Sequence, residues 1–242
     1  CTFFILSFFI WISGGFAQPR EAADSLPPTF LWKISGNGLP QASYLYGTIH
    51  LLPEKDYFLE DEVKDAFDGA DIVAMEVDLD LSPVQQMQMM QRMALPGQQT
   101  LPDVVGDSLF HAFRSYSIDS LGISKTSFQK YLRFKPFALT SFFMMELYGK
   151  GKSYEQEFLK RAKRQEKELV GLETLDFQFD LIDSIPYPEQ LKMFVGTDFR
   201  EEYEALTRLY KARDLAGIAR LTANDTEIKK LEEALLFRRN QK

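Results

Sequence analysis

His50, Glu76 and Glu173 are the residues whose types and settings could do chemistry in this chain. His50 follows Tyr44-Leu45-Tyr46-Gly47-Thr48-Ile49, an apolar run that ends in Gly-Thr-Ile-His. It is one of only two histidines. An imidazole there can ligate zinc, manganese or iron, or act as a general base near neutral pH. The competing reading is a surface or hydrogen-bonded core histidine. Glu76 interrupts the nearly continuous hydrophobic run from Ile72 to Leu79. A buried carboxylate needs a cation or hydrogen bonds to compensate it. Glu76 therefore reads either as a metal ligand or as a strand-end acid held by backbone amides or an arginine. Asp78 shares its strand face under period-two alternation. Glu173 repeats the pattern after Leu169-Val170-Gly171-Leu172. One histidine with two carboxylates is a donor set found in hydrolytic and oxidative metal sites.

Strand ends are the places that could hold these groups. Phe30 to Ser35 and Ser43 to Ile49 read as two strands, with Gly36-Asn37-Gly38-Leu39-Pro40 as the turn between them, hence a hairpin. Leu59, Val63, Ala66, Phe67 and Ala70 fall on one helical face, and Gly69 ends that helix. A buried strand follows over Ile72 to Val77. Strand, helix and strand in this order predict a parallel pair whose carboxyl ends share one edge of a sheet, where ligands of open α/β folds gather. From Ser82-Pro83 the pattern turns helical: Val84 to Leu95, Asp107 to Ser117, Lys125 to Arg133, Pro136 to Tyr148 and Ser153 to Lys167. Residues 81 to about 167 thus form a helical insertion. Leu169 to Thr174 returns to strand, and Glu189 to Lys211 and Leu215 to Leu221 are helical again. The fold class predicted is α/β (α+β), a small mixed sheet with a parallel βαβ unit and a large helical insertion.

The remaining candidates have plainer readings. His111, between two phenylalanines on its helix, reads as structural or surface, with no second histidine three or four residues away. Met87, Met89, Met90 and Met93 suit adaptable packing or a flexible binding face. Lys160, Arg161, Lys163 and Arg164 form the solvated face of a helix.

Composition sets the outer limits. The 242 residues, 45% hydrophobic and 26% charged, describe a globular chain with material for a core. A net charge of −7 leaves no basic stripe for phosphates, so nucleic acid is not an expected partner. The apolar run from Phe3 to Phe16 is short for a membrane span and fits a secretory leader cut after Ala17, so residues 1–17 are read as a truncated signal peptide and 18–242 as one exported domain. Membrane attachment arises only if that segment stays uncleaved. Cys1, the sole cysteine, lies in the leader, so a metal would be bound through nitrogen and oxygen. The helical pattern from Glu227 to Arg239 ends without a cap glycine or a closing strand, as in a fragment. The sequence also lacks His-Glu-x-x-His, Gly-x-Ser-x-Gly, a P-loop and a dinucleotide glycine fingerprint.

Trp32-Lys33-Ile34, Tyr44 to His50, Ala70-Asp71 and Glu76-Val77-Asp78 resemble the N-terminal half of the TraB/GumN family, which includes the Tiki proteins. Gly171-Leu172-Glu173-Thr174 with Gln178, and Arg239-Asn240, resemble its later signatures. The resemblance implies an α/β fold whose members include metal-dependent proteases acting outside the cytoplasm, hence a periplasmic or secreted location. It implies a divalent ion (Mn, Co or Zn) and a peptide or protein substrate. Carried over by position, His50, Glu76 and Glu173 would hold the metal, Glu76 or Glu173 could serve as the catalytic base, and Arg239 is a further candidate. The family's second Gly-x-x-His is absent from this sequence, which implies a site short of one histidine. The alternative expectation is a non-catalytic extracytoplasmic protein of the same fold that binds a peptide, a haem-like ligand or a polysaccharide-assembly partner.

Overall fold

The computed structural model describes residues 3–9, 27–192, 195 and 198–223, in two compact units. The first comprises residues up to Asp80, Gly151–Leu175 and the chain from Ala205. Its sheet contains β1 (Phe3–Phe9), β2 (Leu31–Ile34), β3 (Ser43–Ile49), β5 (Ile72–Val77) and β7 (Glu168–Glu173) in the order β2-β3-β1-β5-β7. β2 and β3 form the expected antiparallel hairpin, with Leu31 opposite Tyr46. β3, β1, β5 and β7 are all parallel. The α/β class and its parallel strands are as predicted, but β3 and β5 are not neighbours. Phe3–Phe9 lies between them, pairing Phe4 with both Tyr44 and Val73. A continuous apolar run satisfies either a leader or a strand covered on both faces, so one set of residues fits both descriptions. Residues 10–17 of the expected leader lie outside the described residues, as do Cys1, Arg239 and the helix expected over Glu227 to Arg239.

Helix α1 (Asp61–Asp68) connects β3 to β5 and ends at Gly69, as the pattern predicts. It buries Val63, Ala66 and Phe67. Helix α7 (Tyr154–Arg164) was expected in the insertion. Instead it packs on the sheet, because Tyr154, Phe158 and Ala162 form a fully buried stripe. The Phe158 ring stacks on Phe67 at 5.0 Å and meets Tyr46 edge-on at 6.0 Å. Its basic face is less free than the sequence suggested: Arg161 pairs with Asp68 at 2.6 Å, and Lys163 pairs with Asp80.

The second unit comprises Leu81–Lys150 and Asp176–Glu204. It contains α2 (Pro83–Met93), α3 (Leu101–Val105), α4 (Asp107–Ser115), α5 (Lys125–Tyr131), α6 (Pro136–Tyr148), α8 (Leu175–Asp183) and α9 (Tyr187–Lys192). α10 (Phe199–Lys211) begins in this unit, and α11 (Leu215–Ala223) belongs to the first. Ser82 and Gln85 cap α2 reciprocally, and Pro83 occupies its first turn. α6 buries Ala138, Leu139, Phe143 and Met144, and Phe143 stacks on Phe113 at 5.7 Å. Arg92 joins α2 to α8 through Asp180 at 2.6 Å and Asp183 at 3.2 Å. His111 is exposed, as expected. Of the methionines on α2, Met87 and Met90 are exposed. No described helix is long and apolar enough to cross a membrane.

Candidate functional site

β3 delivers His50 to the carboxyl edge of the sheet. Its alternation sets Tyr46, Thr48 and His50 in one row. Tyr46 packs on α7, edge-on to Tyr154 at 5.9 Å. Thr48 is fully buried, and its hydroxyl donates to Glu155 Oε1 at 2.7 Å. Glu155, in the first turn of α7, is 5% exposed. Its Oε2 accepts the Ser153 hydroxyl at 2.6 Å. Desolvation raises the Glu155 carboxyl above its ordinary value, and the hydrogen bonds from Ser153 and Thr48 oppose that rise. Among the described residues no ion pair involves Glu155. It is an acid held by hydroxyls.

Beyond the histidine, β4 (Leu52–Pro53) pairs antiparallel with β6 (Gly151–Lys152), so Leu52 faces Lys152 and Pro53 faces Gly151. The backbones are close. A Cβ at Gly151 would meet Leu51 Cγ at 2.5 Å and the Leu52 carbonyl at 2.9 Å. Gly47 is fixed as well: its N–H donates to Phe30 O at 2.9 Å and its carbonyl accepts from Tyr210 Oη at 3.0 Å.

His50 itself is exposed by surface area, yet desolvation pushes its pKa down to about 3. These observations pull apart, since a ring in open water titrates near 6.5. A ring crowded by protein atoms and open on one side satisfies both. Either way the imidazole is largely neutral at pH 7 and above.

The two glutamates sit elsewhere on the edge. Both are half-buried. Val77 pairs with Glu173, and the registers through β1 set Thr48 level with that pair. Glu173 thus lies in the row of Thr48 but three strands away, about 14 Å along the sheet. Glu76, one residue before Val77, belongs to the opposite face by alternation. The β5 and β7 ends are locked by close approach: a Cβ at Gly171 would lie 2.7 Å from the Asp78 nitrogen. Asp78 accepts the Asp80 N–H at 2.8 Å, closing a turn. The donor types suit a divalent ion. However, among the described residues no three histidine, cysteine, aspartate or glutamate side chains group closely enough to hold one. His50, Glu76 and Glu173 occupy one edge but do not converge.

A model of the TraB/PrgY/gumN family matches residues 30–242. The chain belongs to this family. Neither curated proteins nor solved structures gave a match. The family match spans β2 to α11, so it contains the His50 strand end and the Glu76 and Glu173 strands. Sequence reasoning missed Glu155 and Thr48 as a pair. A glutamate in a helix's first turn is common, and nothing in the chain links two residues 107 positions apart. Only the buried placement of both reveals them.

Proposed function

We propose that this TraB/PrgY/gumN protein is an exported hydrolase acting on peptides, with His50 as its working side chain. One observation carries the reading: a neutral, reachable imidazole stands at the carboxyl edge of a parallel sheet, with the chain fastened on both sides of it. His50 can accept a proton from a water molecule as that water attacks a carbonyl, then return it to the leaving amine. A divalent ion, Mn, Co or Zn, is part of the proposal and would polarise the scissile carbonyl. His50 is its best-placed nitrogen donor. A ring nitrogen bound to the ion cannot also accept the proton, so with metal on His50 the proton steps fall to Glu76 or Glu173, and without metal they fall to His50. Export with cleavage after Ala17 is also part of the reading and predicts a secreted chain beginning at Gln18. A secreted chain that keeps Phe3–Phe9 would set the leader aside.

The test is hydrolysis of a peptide library by the purified chain with Mn²⁺, Co²⁺ or Zn²⁺, beside measurement of retained metal. His50→Ala is expected to lower turnover by about a hundredfold or more and to reduce retained metal. Equal turnover and equal metal in the variant would remove His50 from the mechanism. The placement of Glu76 and Glu173 on opposite faces favours a second reading, a non-catalytic extracytoplasmic binding protein. In that case a peptide, a haem-like ligand or a polysaccharide-assembly partner would bind without turnover, and His50→Ala would alter affinity alone.

A further inference from the structure

We infer that Glu155 is a positioning residue for His50, acting through Thr48 as part of a five-residue clamp, Gly151–Glu155. The chain is fastened to this segment two residues before His50, through the Thr48 hydroxyl bond to Glu155 at 2.7 Å. It is fastened again two residues after His50, through the pairing of Leu52 with Lys152. His50 therefore stands at the crest of a short span whose two feet rest on one segment. Burying a carboxylate without a cation is unfavourable, and a fold indifferent to this geometry would be as well served by an apolar residue. The acid supplies what an apolar residue cannot, two short hydrogen bonds of fixed direction. Its Oε1 holds Thr48 and its Oε2 holds Ser153, so the strand end and the start of α7 share one anchor. Gly151 completes the clamp by letting β6 lie against Leu51 and Leu52. Neither Thr48 nor Glu155 needs to touch a substrate. Their effect is on where the imidazole sits.

The inference rests on the reading of His50 as the working group for its functional meaning, and the experiment separates the two. The chain has two histidines, so its imidazole NMR signals number two sets, assigned with His111→Gln. Spectra of the full chain are compared with those of Thr48→Val, Thr48→Ser, Glu155→Gln and Glu155→Ala, each checked for cooperative thermal unfolding. Thr48→Val and Glu155→Ala are expected to shift or broaden the His50 signals while leaving His111 in place. Thr48→Ser, which keeps the hydroxyl, is expected to restore the wild-type position. If Glu155→Ala does not fold, Thr48→Val and Glu155→Gln carry the test. Folded variants with lowered melting temperature and unmoved His50 signals would reduce Glu155 to a structural residue and overturn the inference, as would failure of Thr48→Ser to rescue. Full activity in His50→Ala would instead remove His50 from the mechanism and leave the positional result standing.

Discussion

The two ends of the sheet edge are held in different ways. At the β3 end, a buried acid, two hydroxyls and a two-residue ladder fix the chain on both sides of His50. At the β5 and β7 end, backbone lies directly on backbone, with Gly171 beneath Asp78, and Glu76 and Glu173 extend to opposite faces. The first arrangement is directional, since each hydrogen bond selects one geometry. The second is steric and defines spacing without aiming a side chain. The difference teaches that a strand end can be rigid without being organised for chemistry, and only the β3 end has both properties.

The largest effect expected is at the steric end. Gly171→Ala drives a methyl group into the Asp78 backbone, which cannot rotate away, and should lower stability by about 3 kcal/mol in denaturant unfolding. Gly151→Ala meets Leu51 Cγ at 2.5 Å and the Leu52 backbone carbonyl at 2.9 Å, so it should cost a comparable amount. A much smaller loss there would show that the β4–β6 ladder yields where the β5–β7 contact does not. Next is Glu155→Ala, which strands two hydroxyls and leaves a cavity, a loss of about 2 kcal/mol. Glu155→Gln keeps an acceptor and should lose about half as much or less. Tyr210→Phe removes the hydroxyl that meets the Gly47 carbonyl at 3.0 Å and the Tyr46 hydroxyl at 3.4 Å, about 1 kcal/mol by thermal unfolding.

The smallest expected effect is a pH dependence with opposite signs from two groups. His50 has its pKa depressed to about 3, so the unfolded chain binds the proton first and stability falls as pH drops from about 6.5 towards 3. Glu155 has its carboxyl raised, so the stability it contributes is present below 4.5 and is lost as pH rises. His50→Asn should flatten the first slope and Glu155→Gln the second, both read from melting temperature against pH. Because His50 retains exposed surface, solvent screening keeps its slope shallow.

Much of the fold could be read along the chain, because its signals are local. Gly69 stops α1, Ser82-Pro83 starts α2, and Pro136 to Tyr148 is helical from end to end as the pattern predicts. The insertion boundary was harder. α7 has an amphipathic pattern that suits a sheet or a bundle equally, and only the aromatic partners of Phe158 assign it to the sheet. Candidate site residues were legible one at a time. Their relation was not, since the separation of His50 from Glu173 depends on which strands lie between β3 and β7.

By itself the sequence determined the α/β class, the β2–β3 hairpin, the family and the candidacy of a histidine after Gly-Thr-Ile, all of which follow from neighbouring residues. Tertiary structure alone decided that Phe3–Phe9 parts β3 from β5, that Glu76 and Glu173 face opposite ways, and that Thr48 rests on Glu155. Strand order and register are choices among pairings of nearly equal local preference. Burial of the whole core, rather than any one segment, selects among them.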